Sequence, residues 1–197
     1  MTAHRLTPPL TEEQARRLRV GDTVTLDGTV FGIRDATLIR IFDHGKAPPV
    51  DLTDGVCLHT APNVKKVGAR YEPVSVGTTT SMRMDRFTGG LLERYGVRAI
   101  IGKGGLSGES LKHFQQRGGV YLAITGGAAA LETTQIEAIE AVWWEDLMPE
   151  CLWKFRVRGL GPLTVGMDSH GGNLYADVQA EAQRRLGEIF ARLEKRA

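Results

Sequence analysis

Val97-Arg98-Ala99-Ile100-Ile101-Gly102-Lys103-Gly104-Gly105 is an apolar run broken only by Arg98 and closed by a glycine-rich turn. A short apolar run bounded by glycines reads as a buried strand rather than a helix. The turn leads towards a helix expected over roughly 107–117. Val120-Tyr121-Leu122-Ala123-Ile124 repeats the theme, and Gly126-Gly127 leads into an Ala-rich helical turn. Two βα units in succession predict a parallel sheet whose functional loops lie at the carboxyl ends of its strands. The fold class is therefore α/β.

Upstream of this stretch, a helix is expected from about Ser81, with Phe87, Leu91 and Tyr95 at spacings of four and a stop at Gly96. Val56-Cys57-Leu58 and residues 71–76 read as strands, and Pro73 makes the second an edge strand. Val24, Leu26, Val30 and Ile33 read as a strand pair turning at Asp27-Gly28, a favoured hairpin dipeptide. Asp35 is expected to cap a helix ending near Gly45, since Pro48-Pro49 forbids its continuation. Thr11 and Gln14 have capping-box spacing, which predicts a short helix over 11–19.

Downstream, residues 135–144 fit either a helix or a strand. Trp153, Phe155 and Val157 alternate with Lys154, Arg156 and Arg158, the pattern of a half-buried strand. The last helix would turn Val178, Ala182, Leu186, Ile189, Phe190 and Leu193 inward. No repeat, low-complexity segment or linker interrupts the chain, so residues 1–197 are expected to form one domain.

Composition excludes more than it selects. With 42% hydrophobic and 24% charged residues and a net charge of +2, no strong field marks the chain for nucleic acid or an anionic membrane. No apolar run reaches the ~18 residues of a membrane span, and the N-terminus lacks a signal peptide's apolar segment. A cytoplasmic protein is expected. Cys57 and Cys151 are the only cysteines. Far apart and without CxxC spacing, they read as small buried hydrophobes, and a three- or four-thiolate metal site cannot be built from them.

The residues that carry chemistry gather at two turns. Gly77-Thr78-Thr79-Thr80-Ser81-Met82-Arg83-Met84-Asp85 holds more hydroxyls than a helix cap needs, and it places Arg83 in a first helical turn, against the dipole. An arginine there needs an anion, either an acidic neighbour such as Asp85 or a ligand. Lys103 stands on the other turn, and together an arginine fork and a lysine point charge suit a small dicarboxylic acid. The lysine turn is not a P-loop, because Val97 and Gly104 stand where that motif needs Gly and Ser or Thr. It is not a dinucleotide fingerprint either, since Ser107 replaces the third glycine. Asp168-Ser169-His170 lacks a nucleophile elbow, and the five histidines show no metal-ligand spacing and read as surface residues. Arg34-Asp35 reads as an ion pair at a helix start.

Taken in order, Arg34-Asp35-Ala36, the Gly77 to Asp85 stretch, Gly102-Lys103-Gly104-Gly105, Ile124-Thr125-Gly126-Gly127-Ala128-Ala129 and Gly161-Pro162-Leu163 resemble the β-type subunit of the iron–sulfur hydro-lyases. That family contains class I fumarate hydratases and L(+)-tartrate dehydratases, and the likeness runs from about residue 10 to residue 175. It implies a swivelling β/β/α domain with a mixed, partly parallel sheet. It further implies a [4Fe-4S] cluster ligated by a partner α-type subunit rather than by this chain, an α2β2 assembly and a dicarboxylic acid substrate. Self-pairing would use residues near Trp143, Trp144 and Trp153.

The resemblance places Arg34, Arg83 and Lys103 on the substrate and makes Thr79 the catalytic base. It implies reversible hydration of fumarate to malate. The alternatives are an L(+)-tartrate dehydratase β subunit, giving oxaloacetate, and a non-catalytic anion-binding module. Two departures stand out: Thr78 where the family has proline, and Leu38 where it has histidine.

Overall fold

In a computed structural model describing residues 1–127 and 129–194, nine strands and six α-helices are ordered along the described chain. The strands are β1 (Ala3–Leu6), β2 (Thr23–Ile33), β3 (Val56–His59), β4 (Asn63–Val67), β5 (Arg70–Ser75), β6 (Ala99–Gly102), β7 (Val120–Ala123), β8 (Ile136–Trp143) and β9 (Leu152–Met167). The helices are α1 (Glu12–Arg17), α2 (Asp35–Phe42), α3 (Thr88–Tyr95), α4 (Gly108–Arg117), α5 (Ala129–Thr134) and α6 (Leu174–Glu194). A 3-10 helix, Ser81–Phe87, runs directly into α3.

The seven-stranded sheet has the order β1-β2-β3-β6-β7-β9-β8. Strands β1, β2, β3, β6 and β7 are parallel, and β9 runs antiparallel to β7, β8 and β2. Because β9 pairs with both β7 and β2, strands β2, β3, β6, β7 and β9 close on themselves. This is the mixed, partly parallel sheet that the family resemblance implies, with the parallel part that the βα units predict.

Closure explains why the core has two halves. Alternate residues of a strand point to opposite faces. On β6, Ala99 and Ile101 join Val24, Leu58, Leu122, Trp153 and Phe155 in one apolar cluster. Ile100 joins Ile33, Leu38, Cys57, Phe87, Leu91, Phe114 and Tyr121 in the other, beneath α2, α3 and α4. Buried on both faces, the central strands are continuous apolar runs.

Several local expectations hold. Thr11 and Gln14 form a complete capping box on α1. Gly96 and Gly118 end α3 and α4 in the left-handed conformation, and Ser107 caps α4. Pro73 lies in β5, which pairs only with β4 in a separate two-stranded sheet. Residues 136–143 resolve as strand. Trp153, Phe155 and Val157 are buried.

Others are corrected. Asp27-Gly28 is not a hairpin turn: β2 runs straight through it, with register shifts against β9 on either side of Leu26. Its partner is thus the distant β9, which local turn chemistry cannot reveal. Asp35 does not cap α2. Arg34 occupies the cap position, the helix ends at Phe42, and the Ala36 amide donates instead to Glu150 Oε2 at 2.8 Å. Helix α6 does not turn its apolar stripe inward. Val178, Leu186, Ile189, Phe190 and Leu193 are exposed. Periodicity reports that a face needs a partner, not that the same chain supplies one.

Candidate active site

The carboxyl ends of the parallel strands gather the polar residues. Arg34 follows β2, His59 and Thr60 end β3, Lys103 follows β6, and Gly126-Gly127 follow β7. The segment between β5 and the 3-10 helix is threaded across these ends. The Thr79 amide donates to the His59 carbonyl at 2.9 Å, Thr78 bridges Thr60, Thr80 bridges Lys103, and the Ser81 amide donates to the Lys103 carbonyl at 2.9 Å. Thr79 is thus pinned by its backbone between β3 and β6. The Thr60 hydroxyl donates to the Gly77 carbonyl and the Thr78 hydroxyl to that of His59. The Thr79 hydroxyl makes no such bond among the described residues and is uncommitted.

The cations are arranged unequally. Arg34 Nε lies 3.2 Å from Asp35 Oδ2 and 3.3 Å from Glu150 Oε1. Arg83 Nη2 lies 2.8 Å from the same Asp35 oxygen. One carboxylate therefore joins both arginines. Arg83 takes its acidic neighbour from α2 and not from Asp85, which instead accepts from the Ser107 and Ser110 hydroxyls, each at 2.7 Å. Lys103 pairs with no carboxylate within 4 Å among the described residues. Its stem passes over Gly126, where a Cβ would sit 3.0 Å from Lys103 Cδ and 3.5 Å from Nζ. Glycine at that position gives the lysine room.

Beneath the turn lies a buried polar hub. Ser81 Oγ is 2.9 Å from His59 Nδ1 and accepts from the Tyr121 hydroxyl at 2.9 Å. Gly102 leaves space for it, since a Cβ there would lie 1.9 Å from Ser81 Oγ. His59 is only 1% exposed, and its Nε2 has no hydrogen-bond partner among the described residues. Burial pushes its pKa down to about 4, against the opposing pull of the Asp35 charge, so the ring is neutral at pH 7. The expectation that the histidines are surface residues fails here.

A second buried group, Glu132 on α5, is 2% exposed, and burial pushes its pKa up to about 7 against the Thr78 amide and the Lys103 charge. Both residues escaped a reading based on motif spacing. The available signal was a polar residue closing the apolar run Val56-Cys57-Leu58-His59, and an acid set inside an apolar helical turn.

The other motifs keep their structural readings. Asp168 accepts backbone amides of Val20, His170 and Gly172, which makes it a turn organiser. A cleft of about 360 Å³ includes Arg5, Asp27, Glu137 and Arg158 in its lining, and these residues pair as Arg5–Asp27 and Arg158–Glu137. The two cysteines do not suit a metal cluster. Both are buried, burial raises their thiols to about 12 for Cys57 and about 11 for Cys151, and no group of three potential ligands is found among the described residues. No described helix is long and apolar enough to cross a membrane.

An α/β protein with uncommitted hydroxyl and cationic groups on the turns at its strand ends has the layout of a ligand-binding or catalytic α/β domain. Comparison with known proteins gives the particular family. The chain belongs to the Fumarase C-terminus family, whose model matches residues 2–178. It is 37% identical over 186 residues to the putative L(+)-tartrate dehydratase subunit beta of Methanocaldococcus jannaschii, covering 92% of this chain and 95% of that one. It is 40% identical over 173 residues to the L(+)-tartrate dehydratase subunit beta of Escherichia coli K12, covering 87% and 86%. A putative class I fumarate hydratase of Geobacillus stearothermophilus is 37% identical over 189 residues, which span 93% of this chain but 36% of that longer protein.

Proposed function

We propose that this chain is the β subunit of a two-chain hydro-lyase acting on a C4 dicarboxylic acid, with reversible hydration of fumarate to malate as the first reading. The observation that carries it is the shared placement of Arg34, Arg83, Lys103 and Thr79 on one rim of strand ends. Two of the cations are oriented by Asp35, and the third has no carboxylate within 4 Å among the described residues. Arg34 and Arg83 would grip one carboxylate through their planar forks, and Lys103 would neutralise the other. Holding both ends of a short diacid fixes its central carbons against the turn, so that a C–H bond faces the Thr79 hydroxyl. Thr79 would move the proton at that carbon, helped by the surrounding positive charge.

The [4Fe-4S] cluster would be held by an α-type subunit, since the thiols of this chain are buried and far from forming a ligand set. The exposed stripe of α6 supports a contact with a second chain. Self-pairing into an α2β2 assembly would involve Trp143 and Trp144, which are partly exposed, whereas Trp153 is fully buried and unavailable.

The second reading is L(+)-tartrate dehydration to oxaloacetate. It is favoured by relatives of that name, named as beta subunits and matched over 86–95% of their length. Co-expression with an α-type subunit under anaerobic conditions, followed by assay on fumarate, malate and both tartrates, decides between them. An assembled complex that turns over none of these acids would overturn both.

A further inference from the structure

Glu150 is an acid at the candidate site that the binding scheme above does not use. It stands just before β9, far along the chain from α2, yet its backbone is fixed against that helix. Its amide donates to the Leu147 carbonyl at 2.9 Å, and its carbonyl accepts from the hydroxyl of the wholly buried Thr37 at 2.5 Å. The neighbouring Pro149 carbonyl accepts the indole N–H of the buried Trp153 at 3.0 Å. Further along α2, Arg40 pairs with Asp146 through two hydrogen bonds. The segment before β9 is thus clamped along α2, and the Glu150 side chain is delivered to the first helical turn.

The two carboxyl oxygens have separate tasks there. Oε2 accepts the Ala36 amide at 2.8 Å, which answers one of the open donors of a helix whose cap residue, Arg34, makes no side-chain cap bond. Oε1 lies 3.3 Å from Arg34 Nε. Asp35 Oδ2 meets the same nitrogen at 3.2 Å, but that oxygen is shared with Arg83. Both acids therefore engage Arg34 at Nε, and among the described residues its Nη groups form no hydrogen bond. A guanidinium is planar, so bracing it at Nε from two sides sets the plane in which the Nη groups lie. The side chains of all three residues are 21–23% exposed, so these pairs add little to stability and serve orientation instead.

We propose that Glu150 is a positioning residue for Arg34, holding the guanidinium by Nε so that its Nη groups are left for a substrate carboxylate. The inference rests on the reading of Arg34 as a carboxylate-binding residue. It gives the two arginines different supports: Arg83 is braced by Asp35, and Arg34 by both Asp35 and the turn before β9. Glu150 removes in advance the side-chain freedom that Arg34 would otherwise lose on binding. Substrate and transition state gain equally from such a contact, so its loss raises KM and spares kcat.

Glu150→Gln separates the two tasks, since the amide keeps an oxygen for Ala36 and sets an uncharged NH2 group beside Arg34. Its melting temperature should stay close to that of wild type, whereas Glu150→Ala, which strips the cap as well, should melt lower. In the full chain, the nitrogen-15 heteronuclear NOE of Arg34 Nε, assigned by its loss in Arg34→Lys, should fall in Glu150→Gln as the side chain gains fast motion. An unchanged NOE overturns the inference, and this arm needs neither substrate nor partner. Should Glu150→Gln fail to fold, Glu150→Asp, which keeps the charge but draws it back from Arg34, is read in the same way.

In the assembled enzyme, Glu150→Gln should raise KM for the diacid about tenfold with kcat little changed, and should have no effect on KM in an Arg34→Met background. An equal rise in both backgrounds overturns the inference alone, because Glu150 would then act other than through Arg34. A wild-type KM in Glu150→Gln beside a raised KM in Arg34→Met does the same. A KM that Arg34→Met itself leaves unchanged overturns the functional reading of that arginine.

Discussion

Asp35 Oδ2 stands 2.8 Å from Arg83 Nη2, so the first residue of α2 orients an arginine on the 3-10 helix. The same oxygen is 3.2 Å from Arg34 Nε. Two segments distant in sequence are thereby held as one fork of guanidinium groups. Partly exposed pairs contribute little to stability, ~0–1 kcal/mol. Asp35→Asn should therefore leave the melting temperature nearly unchanged while raising KM for the diacid about tenfold, within the coupling expected of contacting residues. In an Arg83→Met background the same change should cost much less. Equal costs in both backgrounds would show that Asp35 does not act through Arg83.

Lys103→Met and Arg83→Met should each preserve the fold to within ~0.5 kcal/mol, as substitutions outside the core do. Activity of the assembled enzyme should collapse, since a hydrogen bond to a charged partner is worth roughly 1.5–3 kcal/mol and misorientation adds to the loss. Thr79→Ala should lower kcat more than it raises KM. Near-normal kcat/KM in Lys103→Met would remove that residue from the site.

His59 should make the chain acid-sensitive. Its folded pKa, about 4, lies below the unfolded reference of 6.5, so the unfolded chain binds more protons between those values. The stability His59 confers is complete above pH 6.5 and is lost as pH falls towards 4, on the order of 3 kcal/mol in all. Glu132 acts in the opposite sense, because its raised pKa costs stability as pH climbs from 4.5 through about 7. In denaturant titrations across pH 4–7, His59→Asn, which keeps an acceptor for Ser81, should lose the stabilising slope and expose that of Glu132. An acid slope as steep as wild type would contradict the assignment.

Gly102→Ala should be among the most damaging small substitutions in the chain. Its Cβ would lie 1.9 Å from Ser81 Oγ and would push the serine away from His59 and Tyr121. Overpacking and lost buried hydrogen bonds each cost ~1–3 kcal/mol. Adding Ser81→Ala removes the clashing atom, so the double variant should recover part of the loss in a thermal unfolding cycle. Strictly additive costs would place the strain elsewhere.

Much of this molecule is local information, and local information is legible in the sequence. The apolar runs of β3, β6 and β7, the capping box on α1, and the glycines after α3 and α4 each follow from a few consecutive residues and their dihedral or burial preferences. The candidate residues Arg34, Thr79, Arg83 and Lys103 are singled out in the sequence by motifs that resemble those of the family, and their roles belong to the proposal. Tertiary structure alone decided what those residues meet. Strand β2 continues through Asp27-Gly28 because β9, over a hundred residues away, supplies its hydrogen bonds. Arg83 pairs with Asp35 rather than the nearby Asp85 because α2 packs against the 3-10 helix. His59 and Glu132 have shifted proton affinities because folding withdraws them from water, and desolvation depends on everything around a group rather than on its neighbours in the chain.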